Sequence, residues 1–171
     1  MGNKISRLIL ISGLLCTVLS GCTSISVQSN KDAAAVHKVS RLFILINGGD
    51  AQNQELSNIL AADLVDCFSN KPAKIQVCIT SPLDLDDTAY RARMMTFMAD
   101  SILTISPQNR VVDPYGGFPT IVYDASLFDP ATKKREWRAS ITNSGGTEVM
   151  GRRMRKMAES IVSQLELDGF L

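Results

Sequence analysis

Few side chains in this sequence could do chemistry, and four of them are the cysteines Cys16, Cys22, Cys67 and Cys78. A thiol can act as a nucleophile, hold a soft metal, pair in a disulfide or carry a lipid. The single histidine, His37, can neither build a zinc site nor complete a Ser-His-Asp arrangement without partners supplied by the fold. In its polar surroundings it reads as a solvated linker residue. Asn47-Gly48-Gly49-Asp50 lies between an apolar run and a helical pattern, where phosphate-binding loops lie. It lacks both Gly-x-Gly-x-x-Gly and the Gly-Lys-Ser/Thr ending that would aim amides and a lysine at phosphates, so it reads as a turn. Asp84, Asp86 and Asp87 open like a calcium loop, but the glycine and glutamate that such a loop needs further on are absent. Arg152, Arg153, Arg155 and Lys156 could meet lipid phosphates, but they read as the solvated face of a helix. No nucleophile stands beside a base, so the expectation is a protein that is not an enzyme and uses no cofactor or metal. With 18 basic against 17 acidic residues, nothing pulls the chain toward nucleic acid.

The cysteine at position 22 gains meaning from what precedes it. Lys4 and Arg7 form a short positive region, and Leu8 to Leu19 is an apolar run of about a dozen residues, the proportions of a signal peptide. The run is shorter than the roughly 20 residues a membrane span needs. Its tail, Leu19-Ser20-Gly21-Cys22, resembles the bacterial lipobox, in which small residues fit a peptidase groove and the thiol accepts a diacylglyceryl group. The resemblance implies a lipoprotein whose residues 1–21 are removed and whose Cys22 carries the lipid, with palmitate-type acyl chains anchoring it to a membrane. Thr23 in place of Asp implies sorting to the outer membrane, on its inner, periplasmic leaflet.

Residues 22–40 are polar and rich in Ala and Ser, and read as a lipidated, flexible tether. A single domain is expected over 41–171. "RLFILIN" reads as a buried strand. Asn53 to Ser69 repeats Leu56, Ile59, Leu60, Leu64, Cys67 and Phe68 at helical spacing, "KIQVCIT" is a second strand, and a helix runs on from "SPLDLDD" through Ala92 to Met98 before the strand "SILTIS". "PTIVYDASLFD" and "REWRASITN", joined at Asp129-Pro130, form an antiparallel hairpin, and an amphipathic helix starting near Thr147 closes the chain. The fold class is therefore α/β (α+β): β-α-β-α-β, then a hairpin and a C-terminal helix, on a single mixed sheet. This order is similar to small periplasmic α/β domains such as the amino-terminal domain of TolB and the penicillin-binding-protein activator lipoproteins. That likeness is one of element order and transfers no residue.

In an oxidising periplasm Cys67 and Cys78 are expected to form a disulfide closing a short loop. The stretch Val111 to Pro119 joins two prolines, two glycines and the aromatics Tyr115 and Phe118, a composition suited to partner binding. Together these features point to a membrane-anchored envelope lipoprotein that acts as a non-catalytic binding or accessory module, with an envelope protein as partner. The alternative is a hydrolase or transferase acting on envelope glycans.

Overall fold

A computed structural model describes residues 24–35, 37–48, 51–81, 88–111, 119–144 and 150–171. Its elements are β1 (Ile25–Lys31), β2 (Arg41–Asn47), α1 (Ala51–Phe68), β3 (Lys74–Thr80), α2 (Thr88–Phe97), β4 (Ser101–Val111), β5 (Thr120–Phe128), β6 (Arg135–Asn143) and α3 (Met150–Leu167). The strands form one mixed sheet in the order β1-β6-β5-β4-β2-β3. Strands β2, β3 and β4 run parallel, whereas the β4–β5, β5–β6 and β6–β1 pairs are antiparallel. The mixed-sheet expectation holds, with one strand more than the sequence pattern indicated.

Right-handed crossovers decide where the helices go. The chain steps from β2 outward to β3 through α1, then back across β2 to β4 through α2, so the two helices cover opposite faces. On the α1 face, Leu42, Ile44, Ile46, Leu103, Ile105, Leu127, Trp137 and Ile141 pack against Leu60, Leu64 and Phe68 of α1 and Met154, Met157, Ile161 and Leu165 of α3. Strand alternation sends Phe43 and Leu45 the other way. There Phe43 meets Phe97 of α2, with ring centroids 6.3 Å apart, and Arg41 lies over the Phe97 ring at 5.0 Å. Helix α2 buries none of its residues.

The tether expectation fails for Ile25–Lys31, which is an edge strand paired with β6 from Ile25↔Asn143 to Lys31↔Trp137. Ala35 and Val39 beyond it are also buried in the core. The strand was hidden because only Ile25 and Val27 carry its inward apolar alternation. The next inward positions are polar and find their partners on the last turn of the chain: Ser29 Oγ donates to Asp168 Oδ2 (2.8 Å) and Lys31 Nζ donates to Asp168 O (2.7 Å). Asp168 Oδ2 also accepts from Trp137 Nε1 (2.6 Å) and Gln164 Nε2 (3.2 Å).

The end of α3 shapes this junction. Gly169 adopts φ +80°, with Gly169 N donating to Glu166 O and Phe170 N to Leu165 O. This is a Schellman termination, in which glycine takes the left-handed conformation without the Cβ penalty. It turns the fully buried Phe170 inward, where its carbonyl accepts from Val39 N (2.9 Å).

Burial alone would push the Asp168 carboxyl up, but hydrogen bonds from Trp137, Ser29 and Gln164 and the nearby Lys31 charge outweigh it and hold it below the usual range. A folded-state value depressed in this way stabilises the protein above the unfolded carboxylate's value of about 4, and the contribution is lost as pH falls through the folded value. Asp168→Ala strands the indole N–H of Trp137, a residue that is 1% exposed. It should cost about 2 to 3 kcal/mol in urea unfolding and flatten this acid dependence. Wild-type stability with an unchanged acid limb would refute the role given to Asp168.

Candidate functional site

One end of the sheet collects the carboxyl ends of the three parallel strands, β2, β3 and β4, where open α/β sheets place their crevices. The same end holds the start of β1, the end of β6 and the start of β5, through the pairs Ile25↔Asn143, Ile121↔Asn143 and Val111↔Thr120. Ser144 N donates to Ser24 O (3.1 Å), which fixes the chain from its first described residue onward. Cys22, Tyr115 and Phe118 lie outside the described residues, as do Gly49, Asp50, Asp84, Asp86 and Asp87.

Arg153 organises this end. It was expected on a solvated helix face, yet it is fully buried. Position 153 precedes Met154 on the inward stripe of α3, and the guanidinium turns toward carbonyls the sheet leaves uncovered. Its Nε donates to Asn143 Oδ1 (2.9 Å), and its Nη2 donates to Asn143 O (3.0 Å) and Pro119 O (3.2 Å). One side chain thus ties α3 to the end of β6 and to the residue leading into β5. Tyr123 packs nearby, and burial pushes its phenol up, only partly opposed by the charges of Arg153 and Arg110. Asn143 Nδ2 is buried without a partner among the described residues.

The Asn47–Asp50 motif does not present a phosphate cradle at its described part. Gly48 N is taken by Thr80 O at 2.7 Å. A Cβ at position 48 would lie 3.1 Å from Thr80 O and 3.2 Å from Ile79 Cγ2. Glycine is needed there for the close approach of two strand ends.

At the opposite end the fold assembles a trio that the linear pattern could not show. His37 Nε2 lies 3.1 Å from Ser101 Oγ, and His37 Nδ1 lies 3.3 Å from Glu136 Oε1. With Nδ1 donating to Glu136, Nε2 accepts the Ser101 hydroxyl, the order of a Ser-His-acid triad. The solvated-linker reading of His37 is therefore corrected. Glu136 has no partner on β5, because the register slips between Leu127 and Phe128. Access argues against catalysis: Ser101 is 0% exposed, and a nucleophile needs a reacting atom within about 3 Å of its oxygen. The arrangement satisfies a buried hydroxyl.

The expected Cys67–Cys78 disulfide is not formed, and both thiols are free. Ile75, Val77 and Ile79 pack with the α1-side core, as does Cys67. Cys78 alternates with them on β3 and so points to the α2 side, placing the sheet between the two sulfurs. Burial pushes the Cys67 thiol up, with the Arg155 charge opposing.

Two grooves remain. One of about 540 Å³ runs between β1 and α3 and is lined by Ile25, Val27, Lys156, Glu159, Ser160 and Gln164, among others. The other, about 290 Å³, lies under α2 and is lined chiefly by Leu45, Tyr90, Met94, Ile102 and Phe128. On the sheet face away from α1 and α3, Arg138 pairs with Asp124 beside exposed Gln28, Asn30 and Ser140. Among the described residues no group of His, Cys, Asp or Glu could hold a metal ion. No helix among them is long and apolar enough to cross a membrane.

No known family model matches the chain, and no curated protein sequence matches it. Among solved structures, the PelC dodecamer from Paraburkholderia phytofirmans in space group C2 superposes with a TM-score of 0.56, covering 83% of this chain and 98% of that one at 13% identity. The dodecamer in space group P6 gives 0.55, covering 83% and 97% at 14% identity. The lipoprotein GNA1162 from Neisseria meningitidis gives 0.47, covering 75% and 99% at 14% identity. At these identities the likeness is one of fold.

Two measurements check this site. Arg153→Met should lower stability by about 3 kcal/mol or more, because it leaves buried carbonyls without a donor. Arg153→Lys should not restore it, since an ammonium lacks the planar fork; full rescue by lysine would mean that charge alone matters. In protein unfolded without reductant, Cys67 and Cys78 should both alkylate. Thiols blocked until reduction would restore the disulfide.

Proposed function

We propose that the chain is a bacterial envelope lipoprotein, held by lipid on Cys22 to the periplasmic leaflet of the outer membrane, whose α/β domain is a non-catalytic binding or accessory module. The observation that carries this reading is Leu19-Ser20-Gly21-Cys22 at the end of a signal-like segment. Two or three acyl chains, at about 0.8 kcal/mol per buried methylene, hold a protein durably on a bilayer. Thr23 supports outer-membrane sorting. Surfaces suited to recognition support the binding role: an open polar sheet face, a groove along β1, and free edges on β1 and β3. The related fold in the Paraburkholderia protein forms a dodecamer, which makes a second copy of this chain one candidate partner beside a different envelope protein. The Val111 to Pro119 stretch, with Tyr115 and Phe118, is a further candidate contact.

Cys22→Ser should leave an uncut precursor and abolish incorporation of a fatty-acid analogue; unchanged labelling removes the lipoprotein reading.

A second reading, a hydrolase acting on envelope glycans, is favoured by the Ser101–His37–Glu136 trio alone. A fluorophosphonate probe separates the two. The accessory reading expects no adduct on Ser101, whereas an adduct abolished by His37→Ala would establish an active nucleophile.

A further inference from the structure

We propose that the domain stands end-on against the bilayer, with the strand ends bearing Ser24, Val111 and Ser144 at the lipid headgroups and the Asp168 end directed away. This rests on the lipoprotein reading and adds an orientation to it. The argument begins with the length of chain left between anchor and fold. Residues 22–40 would have allowed the domain to swing freely, but β1 starts at Ile25 and Ser144 N already holds Ser24 O. Only Thr23 separates Ser24 from Cys22, and the two residue steps reach at most about 7 Å. A lipid-bearing cysteine sits at headgroup depth, so the end of the sheet that holds Ser24 must sit there too.

The register then fixes what else meets the membrane. Strand β4 lies three strand spacings from β1, about 14 Å away, and ends level with it through Val111↔Thr120, Ile121↔Asn143 and Asn143↔Ile25. Val111 is 62% exposed there, an apolar side chain at the position the headgroups would cover. Arg110 beside it and Arg152, on the first turn of α3, are exposed cations. Guanidinium groups suit phosphate oxygens, and their aliphatic stems tolerate an interfacial depth. At the other end, Lys31 is six residues up β1, about 20 Å further from the anchor. The exposed β5–β6 turn at Ala131–Lys133 lies at that far end. In this pose the strands rise from the membrane, so the Arg138–Asp124 face and the groove between β1 and α3 are presented sideways, open to neighbours in the plane of the membrane.

The test uses full-length lipidated protein in vesicles of phosphatidylethanolamine and phosphatidylglycerol, with a benzophenone amino acid replacing Val111 in one variant and Ala131 in another. Intact mass first reports whether Cys22 is acylated; an unacylated protein refutes the lipoprotein reading itself. On acylated protein, irradiation should add the mass of one phospholipid to the position 111 variant and none above background to the position 131 variant. Equal adducts at both positions, or none at 111, would overturn the orientation while leaving the anchor intact.

Discussion

The Asp168 carboxylate holds three parts of the fold at once: the first strand through Ser29, the last strand through Trp137, and the last turn of α3 through Gln164. These partners are buried or half-buried, so each donor lost there would leave an unsatisfied group away from water. The geometry works because α3 ends in a left-handed glycine that folds Phe170 beneath the junction. With β1 secured along its length, the described residues are held in the sheet from Ile25 onward. The proposed pose on a membrane depends on that attachment.

Arg153 does the corresponding work at the other end. A buried guanidinium is costly unless its donors find acceptors, and here Nη2 reaches the backbone carbonyls at the end of β6 and just before β5, while Nε reaches the Asn143 amide oxygen. The arginine therefore specifies how the helix meets the sheet more than it adds to core burial. The contrast with its neighbours is informative. Arg155, two positions on, reaches Asp66 of α1 and Glu159 in partly exposed pairs, which contribute little individually.

The fold also separates features that look related along the chain and joins others that look unrelated. The two cysteines are near in sequence, but an intervening sheet keeps them apart. His37, Ser101 and Glu136 come from three separate segments and meet at one corner. The triad-like contact forms around a serine that is 0% exposed.

The sequence by itself determined every element but β1. A continuous apolar run marked Arg41–Asn47, a β-rich composition marked Lys74–Thr80, alternation marked Arg135–Asn143, and helical spacing marked the buried stripes of α1 and α3. Their alternation indicated the mixed sheet, because local apolar periodicity is what burial against one or two faces requires. The small residues before Cys22 were also legible, since they lie side by side in the chain. Only the tertiary structure decided which polar side chains are interior. Strand β1 carries two inward apolar residues, and its remaining inward positions bond to Asp168, which is 139 residues beyond Ser29. Arg153 occupies one helical position among several cations, and nothing local distinguishes it from a solvated one. A polar group is buried where distant partners satisfy it, and that pairing exists only once the sheet has brought the ends of the chain together.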